Sequence, residues 1–262
     1  MKEYRTIKLD VADGVAKLSL SRPDRLNAMT HEMGYELLDA AERVTSLGAR
    51  VLLFAGEGRA FCAGAELADE TGEPSIAEDM GETLELCFNP FIERLHALPI
   101  PIVAAVNGPA AGAGCSLALS ADFVIAARSA YFLLAFVNIG LVPDGGLTWI
   151  LPRLIGQARA TEMMMLGGRL SAEQALEWGL IYKVVDNEEL ATTAMDLAAT
   201  LAAGPTRAYE LIRKGIRAAQ GGSLSDNLRL ERLHQKIAGQ SDDFKEGVDA
   251  FLGKRKARFA GR

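Results

Sequence analysis

Residues 103–126, VAAVNGPAAGAGCSLALSADFVIA, constrain the fold of this chain more than any other stretch. An apolar, strand-like segment meets a glycine-rich turn at Gly112-Ala113-Gly114 and runs on into an Ala-rich, helix-like segment. Backbone amides freed at the first turn of such a helix point outward, and their partial positive charge suits an oxyanion or a phosphate. The phosphate versions fail on the letters. A dinucleotide fingerprint needs GxGxxG, and here Gly112-Ala113-Gly114-Cys115-Ser116 is followed by Leu117. A P-loop needs GxxxxGK[ST], and no lysine lies near.

Composition narrows the partners. Apolar residues make up 49% of the 262 positions, which supplies a substantial core, and the net charge of −6 argues against a nucleic-acid or anionic-membrane surface. Basic residues gather only at Lys254, Arg255, Lys256, Arg258 and Arg262. Cys62, Cys87 and Cys115 show no CxxC or CxxH spacing, so neither a disulfide scaffold nor a zinc site is expected. No apolar run reaches the roughly 18 residues that a membrane span needs. The charged opening MKEYRTIKLD lacks the apolar core of a signal peptide. A cytoplasmic setting is the expectation.

Along the chain, residues 4–10 and 15–21 alternate apolar and polar around Asp13-Gly14 and predict a β-hairpin. Thr30 is placed to cap a helix whose buried face is Met33, Leu37, Leu38, Ala41 and Val44. Residues 50–54 read as a buried strand, 68–80 as a polar loop that is either plain surface or a lid over a pocket, and 81–98 as a helix stopped by Pro99 and Pro101. Strands are expected at 122–126 and 131–137, then a turn leading into a short helix interrupted at Pro152. Ser171 with Gln174, and Asp186 with Glu189, carry capping-box spacing, and Gly204-Pro205-Thr206 opens a further helix. The recurrence of strand, turn and helix predicts a spiral or layered α/β core over 1–200 and a helical region over 201–262.

A second glycine turn, Ala63-Gly64-Ala65, also follows a buried strand. Small side chains at both turns let a ligand approach the backbone, and two amides converging on one oxygen form an oxyanion hole. Ser116 lies in GCSLA rather than a GxSxG elbow, so it reads as a backbone bonder, and Cys62 and Cys115 read as packing. His31, His96 and His234 fall in helices without a carboxylate or Cys partner, and His96 reads as structural. Asp144, between Pro143 and Gly145-Gly146, reads either as the N-cap of the next helix or as an acid/base. A carboxylate facing the apolar neighbours Leu133, Phe136, Leu147 and Trp149 would have a raised pKa and move protons near neutrality.

Taken in order, SRPDRLNAM, GRAFCAGAEL, AAVNGPAAGAGCSLALSADFVIAA, GLVPDGGLTWILPRLIG and GGRLSAEQALEWGLIYKVV resemble the crotonase superfamily of enoyl-CoA hydratases and isomerases. The resemblance implies a ββα spiral core and a C-terminal helical trimerisation region, in a homotrimer or a dimer of trimers. It implies an acyl-CoA thioester substrate, with coenzyme A as part of that substrate and no separate cofactor or metal. The enolate oxygen would rest on the amides of Ala65 and Ala113, beside Gly112. By the same resemblance Arg25 and residues 63–67, with Ala63, Glu66 and Leu67, hold the CoA nucleotide. Phe251 and Lys254 fall where the family's last helix reaches CoA, commonly that of a neighbouring subunit. Leu133, Phe136 and Trp149 would line the acyl pocket.

The departures from that pattern select the chemistry. Where hydratases of the family carry two glutamates, this chain has Ser116 and Phe136, and neither acts as a general base. The aspartate of the PDGG turn resembles members that shift double bonds with one carboxylate, nearest to the isomerases of phenylacetate degradation. Dehalogenases of the superfamily share that aspartate but add a histidine where this chain has Asn89. An isomerase using Asp144 is therefore the leading expectation. The alternatives are a hydratase whose water is held by Asp144, Glu78, Asp79, Glu82 or Glu85, and a catalytically silent acyl-CoA-binding homologue.

Overall fold

The computed structural model describes residues 2–68, 71, 73 and 79–262, so most of the expected 68–80 loop, Glu78 included, lies outside the described residues. Strands β1 (Ile7–Ala12) and β2 (Val15–Leu20) form the expected hairpin, with Asp13 and Gly14 both at positive φ, as a type I′ turn requires. The first strand starts later than its pattern predicts. Tyr4 and Thr6 are instead tied by their hydroxyls to Asp39 and Glu36 of helix α1 (His31–Arg43). Thr30 caps α1 as expected, its hydroxyl accepting from the Met33 amide at 3.1 Å.

The next regular element after β3 (Val51–Gly56) is α2 (Met80–Thr83); the chain then passes a wide π turn at Leu84–Phe88 and continues as α3 (Asn89–Ala97). The single helix expected over 81–98 is thus broken by the π turn next to Pro90, which has no N–H to donate to the preceding turn. Then come β4 (Ile102–Val106), β5 (Pro109–Ala111), α4 (Ala113–Leu119), β6 (Phe123–Ala127) and β7 (Tyr131–Leu133). The strand predicted over 131–137 ends at Leu133. Both neighbours of β7, namely β5 and β8 (Arg169–Ser171), pair with it over three residues, and the chain beyond turns into a 3₁₀ segment, Ala135–Ile139.

Helix α5 (Leu147–Leu166) runs through Pro152. Its direction changes at Gly156, whose φ of 76° and ψ of 162° leave the helical region, so the interruption expected at Pro152 sits four residues later. Ser171 accepts from the Gln174 amide at 3.1 Å and caps α6 (Ala172–Glu177) as its spacing predicts. Asp186 does not cap. It follows β9 (Lys183–Val185), and its carboxylate is held by Arg128 at 2.9 Å instead. Helices α7 (Leu190–Ala202), α8 (Thr206–Ala219), α9 (Leu224–Ala238) and α10 (Asp242–Leu252) complete the chain.

The strands build two sheets. One has the order β1-β2-β3-β4-β6-β9 and is parallel except for its opening hairpin; the other has the order β5-β7-β8. A lone parallel bridge, Cys62 to Ala110, extends the second layer past β5. The passes through β3, β4 and β6 therefore each lay one strand in the large sheet and one short stretch in the small sheet before a helix. This is the expected ββα spiral. Phe54, Phe61 and Phe91 meet edge to face at its centre, with ring centroids 5.4 and 6.4 Å apart.

Candidate active site

Two successive passes of the spiral bring the two glycine turns side by side. The Ala111 amide donates to the Cys62 carbonyl at 2.9 Å. A Cβ on Gly64 would sit 2.9 Å from the Ala111 carbonyl oxygen, and one on Gly112 would sit 3.8 Å from the Gly64 Cα. Both glycines have positive φ, so the turns need residues without side chains for conformation as well as for space.

Peptide planarity then fixes where the next amides point. The Gly64 carbonyl accepts from Met29 at 2.8 Å, and in a trans peptide the following N–H, that of Ala65, faces the opposite way. The Gly112 carbonyl accepts from Cys115 inside α4 at 2.9 Å, so the Ala113 N–H faces back out of the helix start. Among the described residues neither the Ala65 nor the Ala113 amide donates a hydrogen bond.

Asp144 lies in the PDGG turn, which packs on α4 one turn past Ala113. Gly146 is the N-cap of α5 and no side chain caps that helix, so the capping reading of Asp144 does not hold. Its main-chain carbonyl accepts from Leu147 while its carboxyl stays half-buried. Burial pushes that carboxyl up to about 6, opposed by a hydrogen bond from the Ser116 hydroxyl. Ser116 is the link between the two halves of the site. It stands one turn along α4 from Ala113 and is 1% exposed, and the acceptor its hydroxyl meets is the Asp144 main-chain carbonyl, at 3.2 Å. A Cβ on Gly145 would fall 2.5 Å from the Ser116 Cβ, so the PDGG turn rests directly on α4. The sequence reading of Ser116 as a backbone bonder was right in kind, but the carbonyl it serves belongs to Asp144 rather than to its own helix.

Phe136 and Leu133 belong to the same place. The tip of the Phe136 ring is 3.9 Å from where a Gly112 Cβ would be, and the Leu133 carbonyl accepts from the Gly112 amide at 2.8 Å. At the other rim, Ala63 donates to Leu26, and Glu66 takes ion pairs from Arg22 at 3.0 Å and Arg25 at 2.9 Å. Arg25 also donates to the Ala68 carbonyl at 3.0 Å, and Leu67 lies exposed beside it.

Three expected residues lie elsewhere in this protomer. The Trp149 ring turns away from the glycine turns. It stacks under the Arg153 guanidinium at 4.4 Å and lines a separate cleft of about 650 Å³ with His96, Asp122 and Arg213. Two helical positions after Leu147, it faces outward where Leu147 faces the core. Phe251, 82% exposed, and Lys254 lie at the end of α10, whose tail folds back on Asp243 and, through Phe259, on Arg50. His96 sits edge-on to Trp149, and burial lowers its pKa, with help from Arg217 and Arg213. Cys62 and Cys115 are fully buried and their thiols are pushed up to about 12, in keeping with packing roles.

Comparison with known proteins agrees with this geometry. Residues 10–262 match the family model for enoyl-CoA hydratase/isomerase. The chain is 49% identical over 254 residues to the 1,2-epoxyphenylacetyl-CoA isomerase of Escherichia coli (strain K12), covering 96% of this chain and 97% of that protein. It is 42% identical over 259 residues to the "Probable enoyl-CoA hydratase" of Rhodobacter capsulatus, covering 99% of each. A crystal structure of enoyl-CoA hydratase from Bacillus anthracis superposes with a TM-score of 0.92 at 32% identity, covering 98% of this chain and all of that one. The spiral of paired sheets and the matched length together place the chain among the crotonases: it is an enzyme of the enoyl-CoA hydratase/isomerase family.

Proposed function

We propose that the chain is an acyl-CoA isomerase that moves a double bond through a thioester enolate, with Asp144 as its single acid/base. The Asp144 carboxylate takes a proton from the carbon beside the thioester carbonyl, or from one further along a conjugated chain. The electron pair passes to the carbonyl oxygen, which rests on the amides of Ala65 and Ala113. Asp144 then returns the proton to a different carbon, so the double bond has moved and nothing is consumed. Donors of this kind are worth about 10²- to 10³-fold each in turnover, because they are aimed before the charge develops. Coenzyme A enters as part of the substrate. In this reading Arg25, Ala63, Glu66 and Leu67 hold its nucleotide, and Gly112, Leu133 and Phe136 surround the acyl group. The helices after residue 200 carry the contacts of a homotrimer or dimer of trimers, in which Phe251 and Lys254 of a neighbouring protomer cover CoA.

The observation that carries this reading is Asp144, which caps no helix, whose carboxyl burial holds up to about 6, and whose turn packs through Gly145 on Ser116, one turn of α4 from the outward-facing Ala113 amide. Ser116 and Phe136 offer no carboxylate to activate water, and the isomerase relative supports the same choice. Asp144→Asn is expected to lower double-bond migration in an enoyl-CoA by at least about 10²-fold while acyl-CoA affinity stays within about threefold. In the unaltered enzyme kcat/KM should rise with pH through about 6, as the carboxylate forms. Full migration by Asp144→Asn would sink the assignment. Release of 3-hydroxyacyl-CoA from a 2-enoyl-CoA as the main product would replace it with hydration.

A further inference from the structure

We propose that Ser116 is the positioning residue for Asp144: its hydroxyl is a two-position donor that serves the carboxylate in one charge state and the Asp144 main-chain carbonyl in the other. This rests on the reading of Asp144 as the acid/base.

The geometry is unusual for a helical serine. Such a hydroxyl ordinarily donates to a carbonyl three or four residues back in its own helix. Ser120 does so, donating to the Ser116 carbonyl at 2.7 Å, whereas Ser116 turns across to the PDGG turn. Its bond to the Asp144 carbonyl, at 3.2 Å, is long for a hydroxyl donor, which marks a contact that is easily exchanged. Gly145, at φ +54°, presses the turn so closely on Ser116 that a Cβ there would lie 2.7 Å from the hydroxyl oxygen. The hydroxyl is thus bonded to the main chain of the residue whose carboxyl it also holds down against burial. It has one proton, so it donates to one acceptor at a time.

A one-carboxylate isomerase must pass through both charge states of that carboxyl. While Asp144 is ionised, the Ser116 proton points to the carboxylate and stabilises the base. Once Asp144 has taken the substrate's proton, the new acid O–H needs an acceptor. The Ser116 oxygen supplies it while its own proton turns to the Asp144 main-chain carbonyl. When the proton is delivered to the second carbon the arrangement reverses. The substrate's proton is the only one that changes owner, and the carboxyl keeps a partner throughout.

The hydrogen bond and burial act in opposite directions on Asp144, and no charged side chain among the described residues shifts it. Phe136 and Ile92, from the elements packed around the turn, are uncharged. Removing the hydroxyl therefore leaves burial unopposed.

Ser116→Ala is expected to move the acid limb of the kcat/KM profile to higher pH and to lower kcat/KM at pH 6 about tenfold, the value of one hydrogen bond to a charged group. Ser116→Thr, which keeps the hydroxyl, should return the limb toward its original position. Carboxyl ¹³C titration of Asp144 in the substrate-free protein reads the same coupling without turnover and should show the same upward shift in Ser116→Ala. An unmoved carboxyl titration overturns the proposal, as does a loss of turnover with an unmoved acid limb. If Asp144→Asn keeps full activity, the catalytic reading fails instead, and the titration still decides whether Ser116 and Asp144 are coupled.

Discussion

Asp144 is held where its charge is unwelcome. Its carboxyl titrates at about 6 in the fold, against an ordinary value of 3.8, because the folded environment disfavours the ionised form. That penalty is absent below the unfolded value, grows between 3.8 and about 6, and is fully present above. Asp144→Asn should therefore be more stable than the parent at pH 8, by about 1 kcal/mol after allowance for the carboxyl's partial exposure, with the difference vanishing toward pH 4. Thermal or urea unfolding at the two pH values measures it. Equal stability at both would mean that the carboxyl is not strained by burial. The sequence already pointed to this residue, since an aspartate between proline and two glycines sits in a turn and its neighbours are apolar. Its choice between cap and acid was not legible, because that depends on whether α5 begins at Leu147 or nearer the carboxylate. The pairing with Ser116 was also hidden, the two residues being 28 positions apart.

At the level of elements, the two glycine turns are the part of the candidate site whose conformation was most legible in the sequence. Each is a local device, a small-residue turn after a buried strand, and the role proposed for it needs backbone rather than side chains. The prediction belongs at Gly64. An alanine there meets the Ala111 carbonyl oxygen at 2.9 Å and must keep a φ of +96°, so the turn has to shift and the Ala65 amide with it. Gly64→Ala should lose about 10²-fold in turnover, the value of one misdirected donor. Gly48→Ala is the matched control: its φ is +86° with nothing within 4 Å, so it bears similar backbone strain of about 1 kcal/mol and should keep full activity. Comparable activity in the two variants would refute the amide at Ala65. The elements misjudged from sequence were those whose limits are set by distant partners. β7 stops where β5 and β8 stop, and α5 bends where a glycine permits it rather than at the proline.

For the whole molecule, the spiral explains how residues 64 and 112 come to share one place, since successive passes return the chain to the same edge of the small sheet, while the PDGG turn reaches α4 through Ser116. The order of strands, turns and helices was legible because each pass carries its own apolar strand and its own breaker. The direction of Trp149 was not, since proximity in sequence to a site says nothing about which way a helix faces. The same winding seals all three cysteines, each without exposed surface. Cys62 lies in the first glycine turn and Cys115 in the second, whereas Cys87 is wedged against Gly34 between the π turn and α1. An alkylating reagent should find no thiol in the native enzyme and three in strong denaturant, counted by intact mass. Labelling of Cys115 under native conditions would mean that the floor of the site opens on its own. At intermediate denaturant, peptide mapping of the alkylated positions should find Cys62 and Cys115 modified together, and Cys87 on its own schedule. The three sulfurs are thus a ready-made recorder of the order in which the enzyme comes apart, one channel reading the helical layer and two reading the catalytic floor.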